Sequence, residues 1–280
     1  MTRPAPAIGW GLLAATALAA AAGPLAVQLG FAILAIGVIG MAHGASDLHV
    51  VEPARRAAFL VAYTAVSLVC LVWWALYPAI ALPLFLAASA IHFAAEEPRM
   101  HPAWHRWTLG IGLIATPALL HPVGYASLLT LAGGGAPPAT MVTLLRMVGA
   151  ASGAKLLVDA VDRRDRALAA SVMALVFLPP LIGFSVGFLV LHALPQTEGR
   201  RRRMRCASHR AYIRTIGPML LAALVLATAI ALFFLRTEAS GIRGLFAALA
   251  ALAMPHLLVT PGFGRDHGTR PLPRMTAKAR

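Results

Sequence analysis

The chain has 280 residues, 59% hydrophobic and only 12% charged, with a formal net charge of +14. Soluble domains carry charge on about a quarter of their residues, so this composition excludes a water-soluble globule and, away from the ends, a disordered chain. The two cysteines, Cys70 and Cys206, exclude a disulfide scaffold and show no metal-type pairing.

Long uncharged apolar stretches instead describe an all-α, polytopic integral membrane bundle. Residues 7–42 contain no charged side chain and hold two short helices divided near Gly23-Pro24. A cleaved signal peptide is disfavoured there, because the apolar run continues well past the small residues. Further spans are expected at 57–76, 79–96, 107–130, 167–190, 217–235 and 242–260. Pro78 separates two of them tightly, and Gly133-Gly134-Gly135-Ala136-Pro137-Pro138 is a clear breaker. Residues 140–158 are apolar but carry Arg146 and Lys155, both costly at mid-bilayer on an isolated helix.

The basic residues help to place that segment. Arg200, Arg201, Arg202, Arg203, Arg205, Arg210 and Arg214 share one loop, and Arg265, Arg270, Arg274, Lys278 and Arg280 lie in the tail. Cationic loops between apolar spans follow the positive-inside bias. No stacking aromatics accompany the arginines, so nucleic acid is not an expected partner. If 140–158 crossed, the 199–214 loop would lie outside. It is therefore read as an interfacial or re-entrant helix, leaving eight transmembrane helices with both ends cytoplasmic. The expected organisation is one transmembrane domain over 1–262 and a basic, disordered cytoplasmic tail over 263–280, in a multi-pass protein of the cell (inner) membrane.

Ten histidines remain. His101, His105, His209 and His267 lie in polar surroundings and read as solvated, His121 as structural, and His49 as ambiguous. His43, His92, His192 and His256 each sit at or near a span end, all toward the cytoplasmic half in the eight-span reading. Neutral imidazoles bind iron, zinc and copper well in a low-dielectric site. Asp47 follows His43 by four residues and Glu96 follows His92 by four, one helical turn each. Such an acid can accept the second N–H of its histidine and fix the tautomer.

The segment Gly40-Met41-Ala42-His43-Gly44-Ala45-Ser46-Asp47 resembles the Pro-His-Gly-Ala-x-Asp element of the bacterial Brp/Blh-type β-carotene 15,15′-dioxygenases. His92-Phe93 is similar to that family's His-Phe-Gly element, the His192 segment to His-x-x-x-His, and Pro255-His256 to a late Pro-His element. The four occur in matching order over roughly residues 30 to 260. The resemblance implies a histidine-ligated non-haem Fe(II) that cleaves the central double bond of β-carotene with O₂ to give retinal. It further implies His43, His92, His192 and His256 as ligands, with Asp47 and Glu96 as their hydrogen-bonding partners. Ala42 and Ala94 depart from the pattern without removing a ligand. Gln196 replaces the second histidine of His-x-x-x-His, and reads as a weak ligand or a partner of a bound water. A carotenoid dissolved in the lipid bilayer can enter sideways, along a tunnel lined by residues such as Phe31, Trp73, Trp74, Phe93, Phe184 and Phe188. An opsin-type retinal acceptor is a further conceivable partner. Two other functions stay open: a non-catalytic polyene-binding protein and a small-molecule transporter.

Overall fold

The computed structural model describes residues 7–98 and 100–263. The expected basic tail, including His267, lies beyond Phe263, outside the described residues. Within them the chain is helical throughout: α1 (Ala7–Ala21), α2 (Leu25–Val50), α3 (Pro53–Leu76), α4 (Pro78–Glu96), α5 (Ala103–Ala118), α6 (Pro122–Gly133), α7 (Ala139–Asp162), α8 (Arg166–Phe177), α9 (Pro180–Arg203), α10 (His209–Phe234) and α11 (Ile242–Phe263). Seven of these are long and apolar enough to cross a membrane, and the bent pair α5–α6 makes an eighth if counted as one span.

Proline and glycine set most of the breaks. Gly23-Pro24 ends α1 after 15 residues, about 22 Å at 1.5 Å per residue and short of a ~30 Å hydrocarbon core. The expected 107–130 span bends by 101° between α5 and α6. Pro117 and Pro122 have no N–H to continue the ladder, and the Tyr125 hydroxyl donates to the Ile114 carbonyl at 2.8 Å within the bend.

Two expectations change together. Residues 140–158 belong to α7, a 24-residue helix that qualifies as a span. Its Arg146 is exposed, and Lys155 places its ammonium 4.3 Å from the centre of the Trp104 ring, a cation–π contact that reduces the cost of the charge. The segment 167–190 is not one span. Leu178 is extended before Pro179-Pro180 (φ −86°, ψ 155°), separating the 12-residue α8 from α9. A Cβ at Gly183 would lie 2.7 Å from the Ala174 carbonyl oxygen, so glycine permits α9 to fold back closely against α8. His121 Nε2 donates to the Phe177 carbonyl at 3.1 Å, satisfying the backbone at that turn.

α8 and α9 thus enter and leave at the same end. With α7 crossing, this hairpin keeps Arg200–Arg214 beside Arg55, Arg56, Arg106, Arg163, Arg164 and Arg166. At the opposite end the loops Gly23-Pro24, Tyr77-Pro78 and Gly133–Pro138 carry no charge, and the loop 235–241 carries only Arg236 and Glu238. Counting α7 as a span and 167–190 as a hairpin changes which segments are candidate spans but leaves Arg200–Arg214 at the same end as the other arginine-bearing loops.

Candidate metal centre

Four helices bring their C-terminal halves together, and each supplies residues one turn apart: His43 and Asp47 from α2, His92 and Glu96 from α4, His192, Gln196 and Arg200 from α9, His256 and Thr260 from α11. Both α2 and α9 widen into π-helix on approach, at Ile33–Gly40 and Leu189–Ala193. Such wide turns re-aim side chains and recur at functional sites. The four imidazoles form a closed ring. Centroid separations are 5.2 Å for His43–His192, 5.3 Å for His192–His92, 5.1 Å for His92–His256 and 5.4 Å for His256–His43.

Within that ring, His43, His92, Glu96 and His192 can each offer one donor atom, all within 4.8 Å of one another. Glu96 Oε2 lies 3.5 Å from Nε2 of both His92 and His192. That is long for a hydrogen bond but close to the spacing of two donors bonded at about 2.1 Å to one tetrahedral ion. His43 Nδ1, His192 Nε2 and Glu96 Oε2 are buried without hydrogen-bond partners. Native interiors rarely leave polar atoms so. Convergent orphan donors of this kind fit a metal ion.

The support is dense. Asp47 Oδ2 accepts from His256 Nδ1 at 2.5 Å and from the Thr260 hydroxyl at 2.8 Å. Arg200 Nη2 lies 3.4 Å from Asp47 Oδ1 and 3.9 Å from Glu96 Oε1. The Ser46 backbone N–H turns to His43 O, and the Tyr212 hydroxyl donates to the neighbouring Ala42 carbonyl at 2.8 Å. On α11, Pro255 has no N–H to donate to the Ala251 carbonyl. The Ser67 hydroxyl supplies that bond at 2.8 Å, while Tyr63 donates to Leu252 O at 2.7 Å. Ser67→Ala is expected to cost about 1–3 kcal/mol by leaving a buried carbonyl unpaired. A thermal melt in detergent, with Ser67→Thr restoring the loss, checks this.

An apolar cavity of about 330 Å³ opens on the ring. Phe93 and Phe188 form its wall beside His192, at centroid distances of 4.7 and 5.5 Å, and Phe184 stacks on Phe188.

A family model described as Beta-carotene 15,15'-dioxygenase matches residues 34–263. The chain belongs to this family. No curated protein and no solved structure matches it. The stretch matched to the beta-carotene 15,15'-dioxygenase family begins inside α2 and contains all four histidines of the ring, whereas α1 lies outside it.

Several sequence expectations change at this site of a beta-carotene 15,15'-dioxygenase family member. His43, His92, His192 and His256 do converge. Asp47, however, binds His256 rather than His43, because the turn after His43 directs the carboxylate toward α11. His256 has its Nδ1 committed to Asp47, and its Nε2 lies 3.5 Å from Glu96 Oε1; Glu96 takes its place in the tight donor group. Gln196 is not aimed at that group: its amide donates to the Glu96 backbone carbonyl at 2.8 Å. Phe93, Phe184 and Phe188 line the cavity. Phe31, Trp73 and Trp74 do not, since they pack in the surrounding core, Trp74 against Phe85 and Phe246. His105, expected in solvent, is buried, whereas His209 is exposed as expected. Arg200 escaped notice among the loop arginines. The readable signal was its offset: His192, Gln196 and Arg200 recur every four residues on one helix face.

Proposed function

We propose that this chain is a membrane carotenoid dioxygenase that cleaves the central double bond of β-carotene with O₂ to give retinal, using a non-haem Fe(II) held by His43, His92, His192 and Glu96. The observation that carries this reading is the group of buried, unpartnered donors opening on an apolar cavity, within a chain of this family. Bound iron would supply the activation of O₂, which amino-acid side chains do not provide.

The protein residues do the rest. Three neutral imidazoles and one carboxylate suit a divalent first-row metal. With the three ligand imidazoles neutral, Glu96 brings the formal negative charge that a dication offsets in a buried setting. Asp47 holds the His256 ring, and that ring together with Arg200 faces Glu96 Oε1. A hydrocarbon polyene has no polar handle, so the aromatic wall of Phe93, Phe184 and Phe188 orients it by shape and excludes water. Under the positive-inside bias the arginine-rich end, and so the site, faces the cytoplasm from the cell membrane.

Cells that accumulate β-carotene should bleach and form retinal on expressing this chain, and His43→Ala should abolish both that and iron binding. Purified, iron-loaded protein that gives no retinal from β-carotene under O₂ would overturn the reading in favour of a binding protein. The cavity wall offers an independent check. A Cβ at Gly40 would fall 2.5 Å from Phe188 Cε1, so Gly40→Ala displaces that ring. Cleavage is expected to fall on the order of 10²-fold through misplaced substrate, with iron content unchanged.

A further inference from the structure

Immediately after Glu96 the chain builds a second cluster. Glu97, His101 and His105 follow one another at four-residue intervals, from the end of α4 to the first turn of α5, and can offer three donor atoms within 4.8 Å of one another. His105 is buried, and its Nδ1 lies 2.7 Å from Asp159 Oδ2 on α7, an acid also held by Arg163 at 2.7 Å. His105 Nδ1 and Asp159 Oδ2, though close, are both without a hydrogen-bond partner, while the other ring nitrogen, Nε2, lies 4.0 Å from Glu97 Oε1. That gap is too wide for a hydrogen bond and wide enough for an ion between them. His101 Nδ1 donates to the same Glu97 oxygen at 2.7 Å, a hydrogen bond that a bound cation would have to replace. Lys155, the nearby lysine, is directed onto the Trp104 ring rather than the carboxylates.

We propose that Glu97, His101 and His105 form a second divalent-cation site, of the Zn²⁺ class, with Asp159 orienting His105. Two imidazoles and a carboxylate form a three-residue donor set typical of zinc, leaving one position for water. A carboxylate behind a ligating histidine is the usual way its ring is fixed. The site shares no residue with the histidine ring, but Glu96 and Glu97 are neighbours facing different clusters. A cation on Glu97 therefore pins α4 to α5 and α7 beside Glu96. The proposal is independent of the carotenoid reading, since metal stoichiometry and retinal formation are separate readouts.

The test uses full-length protein in detergent, stripped with a chelator and titrated with Co²⁺, whose visible bands report the geometry of nitrogen and oxygen ligands. Wild type is expected to take two equivalents and the His43→Ala/His192→Ala variant one. Adding His101→Ala should remove that last equivalent, and Asp159→Asn should weaken it about 10–100-fold. A double variant that binds no Co²⁺, or one whose remaining equivalent survives His101→Ala, overturns the proposal. If the double variant does not fold, X-ray absorption on wild type loaded with Zn²⁺ decides. An equivalent with two imidazoles and oxygen at about 2.0–2.2 Å that is lost in His101→Ala supports the site; zinc content unchanged by His101→Ala overturns it.

Discussion

Glu96→Gln is expected to lower iron affinity on the order of 10²-fold or more and to reduce retinal formation with it. The change is nearly isosteric and keeps the contact with Arg200 within reach. What it removes is the charged oxygen lying 3.5 Å from both His92 and His192. Outer partners of a ligand typically contribute 10–100-fold in affinity, so a larger loss marks Glu96 as a ligand in its own right. Iron per chain, measured alongside cleavage, decides the matter. If Glu96→Gln keeps iron and activity within a few-fold of wild type, then His256, with its Nε2 also unpartnered, is the fourth donor.

The second large effect is at Arg200. Its guanidinium is buried between Asp47 and Glu96. Removing one member of a buried charge cluster strands the others, at a typical cost of about 3–5 kcal/mol. Arg200→Met should therefore lower thermal stability more in stripped protein than in metal-loaded protein, because a dication compensates part of the exposed negative charge. Arg200→Lys keeps the charge but replaces a planar fork by a single ammonium, and should recover only part of the loss. Paired melts with and without metal test this. Equal destabilisation of both forms would place Arg200 in packing alone.

The histidines were legible because helical spacing is local: His92 with Glu96, and His192 with Gln196 and Arg200, can be read from offsets of four. Asp47 shows the limit of that rule. It too stands one turn beyond a histidine, yet its carboxylate is taken by α11, a choice made by packing between distant helices. Arg200 was hidden for another reason. In a run of four arginines, composition cannot tell the one that turns inward from the three that stay near the surface. α7 is long and apolar enough to span, and it was set aside because the cost of a charge was reckoned for an isolated helix, whereas Lys155 has the Trp104 ring beside it. His105 was assigned to solvent from its polar neighbours, but Asp159, more than fifty residues later, makes a buried position tolerable.

The pairing of Asp47 with His256 and Thr260 also bears on how the protein is made. Those partners are 209 and 213 residues further along the chain, on the last described helix to leave the ribosome. A nascent chain can insert most of its helices while this corner of the site is still missing. A chain truncated before α11 would carry His43, His92, Glu96 and His192 but lack the His256 and Thr260 that hold Asp47, leaving that corner of the site open.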